Sequence, residues 1–295
     1  MNNKLKGVFI PITTPFEQNG EVAYEALKAN MKKYAASGIN GYLVMGSNGE
    51  NKSLTLSEKE AIVKIIIDNK GPEQVVMVGC IFESTMESIE FAKKSEELGA
   101  DFITILPPSY FKSQMTDEVL IKFFTDIASS VSIPCLIYNA PQYAGGVSVS
   151  VNVIKEVSKH PNIVGMKDSS TGNIEKYLMA VDDSFIVMAG SINFFFNSLM
   201  MGAIGGVLSL ADSFPDLAIE LYNCEVNLDM EKGIELNKKV LRLNKAISGK
   251  NGVAGVKAAM DLAGYYGGNP RLPLLPIKEE DLETLKKVLI EEGII

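Results

Sequence analysis

The feature that most constrains this chain is an alternation. Eight short apolar runs, at residues 8–13, 41–45, 75–79, 102–106, 134–138, 163–167, 186–189 and 204–209, are separated by amphipathic stretches of helical period. Each run is too short for a helix, and most are rich in β-branched residues, so each reads as a buried strand. Helix starts and stops fall between them. Ser57-x-x-Glu60 and Ser84-x-x-Glu87 match the capping box. Gly38, Gly99 and Gly202 stand where helices should end. Repeated strand–helix units predict parallel strands with helical crossovers, and the even count predicts an α/β fold closed as a (β/α)8 TIM barrel. An open doubly wound sheet would carry a glycine fingerprint after its first strand, where this chain has Thr13-Thr14-Pro15-Phe16. Past about residue 212 the strand pattern stops. Helical stretches at 214–248, 252–264 and 279–292, broken at Gly249 and 270–276, predict a barrel domain over 1–228 and a C-terminal helical extension over 229–295.

A barrel of this kind places its chemistry at the C-terminal strand ends. There the sequence offers Gly46-Ser47-Asn48-Gly49-Glu50, Ser109-Tyr110-Phe111, Tyr138-Asn139-Ala140-Pro141, Lys167-Asp168-Ser169-Ser170, Gly190-Ser191 and Ser209. These are hydroxyls, small residues, tyrosines and one lysine, with too few carboxylates for a multi-carboxylate metal site. The only histidine, His160, precedes Pro161 in a predicted loop, so no metal ligation or serine–histidine chemistry is expected. Arg242 and Arg271 are the only arginines, both late in the chain. A carboxylate clamp in the first two-thirds must therefore use lysine, hydroxyls, amides or backbone N–H groups.

Strict alternation along 163–168 puts Ile163, Gly165 and Lys167 on one face and Val164, Met166 and Asp168 on the other. An amine held beside a residue with no side chain, inside a closed sheet, is placed to attack a carbonyl. Taken alone, Lys167 also reads as an ordinary lysine ending a surface strand. Tyr138 and Tyr110 also read as rim aromatics, and 46–50 as a turn chosen for backbone geometry. Together they fit one chemistry. An amine condenses with a 2-oxo acid, and the protonated imine becomes an electron sink for making or breaking a carbon–carbon bond. Tyr138 suits the proton shuttle. Ser47 and Asn48 suit a carboxylate.

Gly46-Ser47-Asn48-Gly49-Glu50, Tyr138-Asn139-Ala140-Pro141 and Gly165-Met166-Lys167-Asp168-Ser169-Ser170, at this spacing, resemble the dihydrodipicolinate synthase/N-acetylneuraminate lyase superfamily over essentially the whole chain. The resemblance implies that Lys167 is the Schiff-base lysine and that Tyr138 is the proton shuttle. It implies that Ser47 links Tyr138 to a Tyr110 lent by a neighbouring subunit, and that Ser47 and Asn48 hold the pyruvate carboxylate. It also implies a homotetramer of paired dimers and no cofactor beyond the covalent imine. Within the superfamily, synthases carry an arginine shortly after Tyr-Asn-x-Pro, where this chain has Gln142-Tyr143, and two threonines where it has Ser47-Asn48. Those departures, with Ala189-Gly190-Ser191 and Gly264-Tyr265-Tyr266-Gly267-Gly268, resemble 4-hydroxy-2-oxoglutarate aldolase more closely. On that comparison Ser169, Gly190 and Ser191 lie near the substrate's distal end, and Leu208 completes the substrate-binding set. The expected activity is metal-independent aldol cleavage of a 4-hydroxy-2-oxo acid to pyruvate and an aldehyde. The alternatives are the synthase, a lyase of sialic or 2-keto-3-deoxy sugar acids, and an oxo-acid sensor without turnover.

Cys80, Cys135 and Cys224 are odd in number and unpaired in spacing, which predicts a reduced, cytoplasmic protein. The N-terminus lacks the long apolar core of a signal peptide, and no apolar run reaches membrane-spanning length. A net charge of −8 without a basic run argues against nucleic acid as a partner.

Overall fold

Eight parallel strands pair in chain order and close on themselves: β1 (Gly7–Ile10), β2 (Gly41–Val44), β3 (Val75–Cys80), β4 (Phe102–Ile105), β5 (Cys135–Asn139), β6 (Ile163–Asp168), β7 (Ile186–Ala189) and β8 (Gly205–Val207). The structure is a computed structural model that describes residues 2–170 and 174–295. Outside the ring run α1 (Tyr24–Ala35), α2 (Leu56–Asn69), α3 (Thr85–Leu98), α4 (Asp117–Ala128), α5 (Val151–Val157), α6 (Glu175–Leu178), α7 (Ile192–Met200) and α8 (Pro215–Val226). The chain is thus the predicted TIM barrel. β1 is shorter than the apolar run because Pro11 has no N–H for the ladder.

Side chains alternate between two cores. Phe9, Leu43, Met77, Phe102, Leu136 and Met188 fill the barrel, and a larger cluster packs the strands' outer faces against the helices. In β6 the alternation breaks. Cys135 pairs with Ile163 but Leu136 pairs with Gly165, so one extra residue is inserted in β6. Ile163 therefore joins the outer cluster and Val164 packs against the inner one. The expectation that Ile163 shares a face with Lys167 is overturned by this bulge, while Gly165 and Lys167 keep the expected phase. A Cβ on Gly165 would lie 2.4 Å from the Ile186 carbonyl oxygen, so only glycine lets β7 approach here.

The local helix signals hold with one shift. Ser84 caps α3, and Gly99 closes it at φ 102°. For α2 the capping box is Thr55 with Glu58, two residues before the predicted Ser57 and Glu60. The earlier threonine is in extended conformation and can take the Glu58 N–H, whereas Ser57 already lies within the helix.

The stretch 214–248 is not one helix. It breaks at 227–229, where Leu228 adopts φ 57° and Asp229 caps α9 (Met230–Asn244). A π-turn, Lys245–Gly249, follows, then α10 (Gly252–Leu262) and α11 (Glu279–Glu291). These elements return to the strand ends. Arg271 makes a two-pronged pair with Glu58, at 2.7 and 2.9 Å, and donates its backbone N–H to Glu50 at 2.8 Å. That guanidinium, above all, holds the Glu58 carboxyl down at about 2. No helix among the described residues is long and apolar enough to cross a membrane.

Candidate active site

β5 and β6 are adjacent, with Tyr138 and Lys167 in register. Both side chains are buried, and the Lys167 ammonium nitrogen lies 4.0 Å from the centre of the Tyr138 ring. The Tyr138 hydroxyl is 3.5 Å from the Ser47 hydroxyl. Burial alone would make this phenol a weaker acid. The charge of Lys167 and hydrogen bonds from Ser47, Lys167 and Ser169 outweigh it, and hold the phenol below the ordinary tyrosine value. A tyrosine poised this way passes a proton on and takes it back more readily than a free phenol.

A polar layer behind these two residues fixes them. Asn139 and Asp168, the next register pair, point away from the cavity, and the Asn139 amide donates to Asp168 at 2.7 Å and to Tyr177 at 3.0 Å. The Ser170 hydroxyl lies 2.9 Å from both Asp168 oxygens. Asn139 accepts from the Val149 N–H, and Tyr177 donates to the Val149 carbonyl. The ends of β5 and β6 are thereby tied into one rigid unit.

The turn at 46–50 is held from three sides. Thr14 donates to the Gly49 carbonyl at 2.7 Å, and Asn51 donates to the Met45 carbonyl at 3.1 Å. Glu50 forms a fully buried ion pair with Lys257 of α10 at 2.6 Å. Met45 at φ 60° and Glu50 at φ 54° both sit in left-handed backbone, a strained geometry for residues with side chains. What it presents is useful. Among the described residues, the Ser47 and Asn48 N–H groups donate no backbone hydrogen bond. Both residues line the cavity, where two free N–H groups and a hydroxyl could serve an anion.

These groups line one cavity of about 760 Å³ at the C-terminal end of the barrel. It brings together Lys167, Tyr138, Ser47, Asn48, Ser169, Gly190 and Ser191 as the sequence predicts. Gly190 permits this convergence, since a Cβ there would lie 1.8 Å from the Ser169 hydroxyl. Leu208 is a correction. Its side chain is fully buried in the outer cluster, because alternation along β8 turns Val207 and Ser209 to the cavity instead. Tyr110 is also absent from the lining. It is 81 % exposed, packed edge-on against Phe111, on a loop whose N–H groups are bound by Glu83.

The sequence reading missed the far wall. Asn193 of α7, Asn244 of α9, and Lys245 and Ser248 of the π-turn join the strand-end residues in lining the cavity. Nothing in the pattern distinguishes Lys245 from a solvent-facing helix lysine, and only the closeness of Asn193 to Ser191 was a signal. Both arginines are engaged elsewhere, Arg242 with Glu292 and Arg271 with Glu58. His160 sits before β6, near Ser129, away from the cavity. Among the described residues no three His, Cys, Asp or Glu side chains converge as metal ligands.

The coupling of Ser47 to Tyr138 gives a prediction with a sign. The Ser47 hydrogen bond lowers the Tyr138 pKa, so Ser47→Ala should move it up. The alkaline limb of the kcat/KM profile, where the phenol loses its proton, should shift to higher pH, with a fall in rate of ~10-fold or more at neutral pH. An unshifted limb in a pH–rate titration would remove Ser47 from the relay.

A sequence model of the dihydrodipicolinate synthetase family matches residues 4–292. The 4-hydroxy-tetrahydrodipicolinate synthase of Methanospirillum hungatei is 32% identical over 289 residues, covering 96% of this chain and 98% of that protein. A probable mitochondrial 4-hydroxy-2-oxoglutarate aldolase of Emericella nidulans is 30% identical over 291 residues, covering 97% and 94%. The crystal structure of the chloride-inhibited dihydrodipicolinate synthase from Acinetobacter baumannii, complexed with pyruvate, superposes with a TM-score of 0.92 at 28% identity, covering 99% of this chain and 100% of that one. Sequence and fold agree from end to end, and the chain belongs to the dihydrodipicolinate synthetase family of pyruvate-dependent carbon–carbon lyases.

Proposed function

We propose that Lys167 forms an imine with pyruvate and that the enzyme joins the resulting carbon nucleophile to an aldehyde, in the manner of 4-hydroxy-tetrahydrodipicolinate synthase. The observation that carries this is the Lys167 nitrogen 4.0 Å over the Tyr138 ring at the floor of the cavity, with Ser47 at the phenol. The Ser47–Asn48 nest takes the pyruvate carboxylate. The Lys167 amine attacks C2, and Tyr138 supplies the proton on which the C2 oxygen leaves as water. The iminium then accepts the electron pair released when the C3 proton passes to the Tyr138 phenolate, and the enamine carbon attacks the aldehyde, whose oxygen takes that proton back. Hydrolysis of the imine frees the product and restores Lys167.

The synthase name recurs among the chain's relatives, so the preference for 4-hydroxy-2-oxoglutarate aldolase drawn from the sequence is not favoured. Aldol cleavage of that substrate stays as the second reading because of one observation. Tyr143, not an arginine, lines the cavity after the Tyr138-Asn139-Ala140-Pro141 segment. A panel assay separates the two: condensation of pyruvate with aspartate semialdehyde against cleavage of 4-hydroxy-2-oxoglutarate. Turnover of neither, with pyruvate still trapped on Lys167, would sink both.

The outward presentation of Tyr110 supports a role in a neighbouring subunit's site, within a homotetramer. Co-expressing Tyr110→Ala with Lys167→Met chains should then restore roughly a quarter of wild-type turnover, because mixed dimers contain one complete site. No recovery in the purified mixed oligomer would place Tyr110 outside the chemistry of its neighbour.

A further inference from the structure

The cavity is far larger than a three-carbon acid requires, and its far wall is built to a pattern. The Ser248 hydroxyl donates to the Asn244 side-chain oxygen at 2.9 Å, and the Asn244 amide donates to the Asn193 side-chain oxygen at 2.9 Å. With its oxygen so engaged, Asn193 has its amide N–H groups left to offer, and it lines the cavity. Beside this relay the π-turn places Lys245 on the same wall. A π-turn adds a residue to the helical cycle and re-aims the side chains at the insertion, a device that recurs at functional sites. Lys245 has no carboxylate within ion-pair distance among the described residues, whereas its neighbour Lys250 is paired with Asp281. Among the described residues no aspartate or glutamate lines the cavity, although the chain as a whole carries a net charge of −8. Two lysines and an array of donors therefore line one cavity that no described carboxylate enters, with Lys167 buried at the strand end and Lys245 exposed at the rim.

The geometry points to Lys245, supported by Asn193 and Ser248, as the subsite for a carboxylate at the far end of the second substrate. The aldehyde partner is then an acid, bound by an ammonium from the π-turn after α9 rather than by a guanidinium from the loop after β5. This rests on the proposed imine reading for the near end of the cavity, and it applies equally to a short acid such as glyoxylate and to a longer amino-bearing one such as aspartate semialdehyde. The relay of Ser248 and Asn244 holds the Asn193 amide in place, so the wall is prepared before the substrate arrives.

The test uses the full-length enzyme and its Lys245→Met and Lys245→Arg variants. The ratio of kcat/KM for a carboxylate-bearing aldehyde over an uncharged aldehyde of similar length should fall ~10–100-fold in Lys245→Met, through KM, and recover in Lys245→Arg. Glyoxylate and aspartate semialdehyde are run as separate arms, and the larger loss identifies the length the subsite fits. Succinate, a dianion with no carbonyl, reads the subsite without imine chemistry. By calorimetry it should bind wild type at least ~10-fold more tightly than Lys245→Met. An unchanged ratio together with equal succinate affinity would overturn the assignment. Borohydride trapping of pyruvate in the wild-type enzyme tests the imine reading separately. Failure there with the succinate difference intact removes that reading alone, and successful trapping with no succinate difference removes the subsite alone.

Discussion

Lys167→Met should retain the fold and lose the reaction. Methionine fills nearly the same space, and its thioether needs no partner in a site where the lysine is 4 % exposed. Thermal melting should therefore match wild type or exceed it. Turnover should fall by ~10⁴-fold or more, because no other amine lies beside Tyr138 and the remaining strand-end groups supply only binding and proton transfer. Among the described residues Lys245 is the one other amine lining the cavity, and it comes from the exposed π-turn rather than a strand end. Borohydride reduction in the presence of pyruvate, followed by peptide mass mapping, reads the same event covalently. Wild type should carry the adduct on Lys167 and the variant should carry none. An adduct on Lys245, or turnover surviving in Lys167→Met, would end the proposed mechanism.

The largest effect on stability should come from splitting the Glu50–Lys257 pair. Both side chains are essentially inaccessible, at 1% and 0%, and lie 2.6 Å apart. Removing one leaves the other as an uncompensated buried charge, which costs about 3–5 kcal/mol. Glu50→Gln should show this in urea unfolding at pH 7. Burial already pushes the Lys257 ammonium below the usual lysine value, and Glu50 is the main group opposing that push. Without Glu50 the folded-state pKa drops further. The unfolded chain then binds more protons than the folded one, so the variant's stability should rise with pH between 7 and 10 as Lys257 neutralises. The double variant Glu50→Leu with Lys257→Met should recover most of the loss. A single variant as stable as wild type and flat with pH would show that the pair is not what anchors the turn. The same variants should raise KM for pyruvate, since Ser47 and Asn48 stand only three and two residues before Glu50 in the strained turn.

Much of this was legible in the sequence because the relevant signals are local. Eight strand runs, glycine stops and a lysine at the end of the sixth run follow from patterns a few residues long. Where the reading failed, longer-range or off-pattern geometry decided. Leu208 was placed at the substrate, but a strand's alternation gives the cavity to its neighbours. The capping box of α2 was read two residues late because Thr55-Leu56-Ser57-Glu58 and Ser57-x-x-Glu60 overlap, and only the backbone chooses between them. The helical extension looked separate, yet it supplies Lys257 and Arg271 to the turn at 46–50 and Lys245 to the cavity wall. A π-turn leaves no periodic trace that could have marked Lys245.

The extra residue in β6 also sets how this family member can change. With the bulge at Val164, the count from Leu136's partner to Lys167 is fixed at an even spacing from Gly165, whatever happens at Ile163. In a strand without the bulge, a single-residue deletion would turn the Lys167 amine into the helix layer and bring Met166 into the barrel. A deletion at Val164 itself would instead straighten the strand and leave Lys167 facing inward. The bulge thus acts as a phase buffer, absorbing length variation on the N-terminal side of the strand before it reaches Lys167.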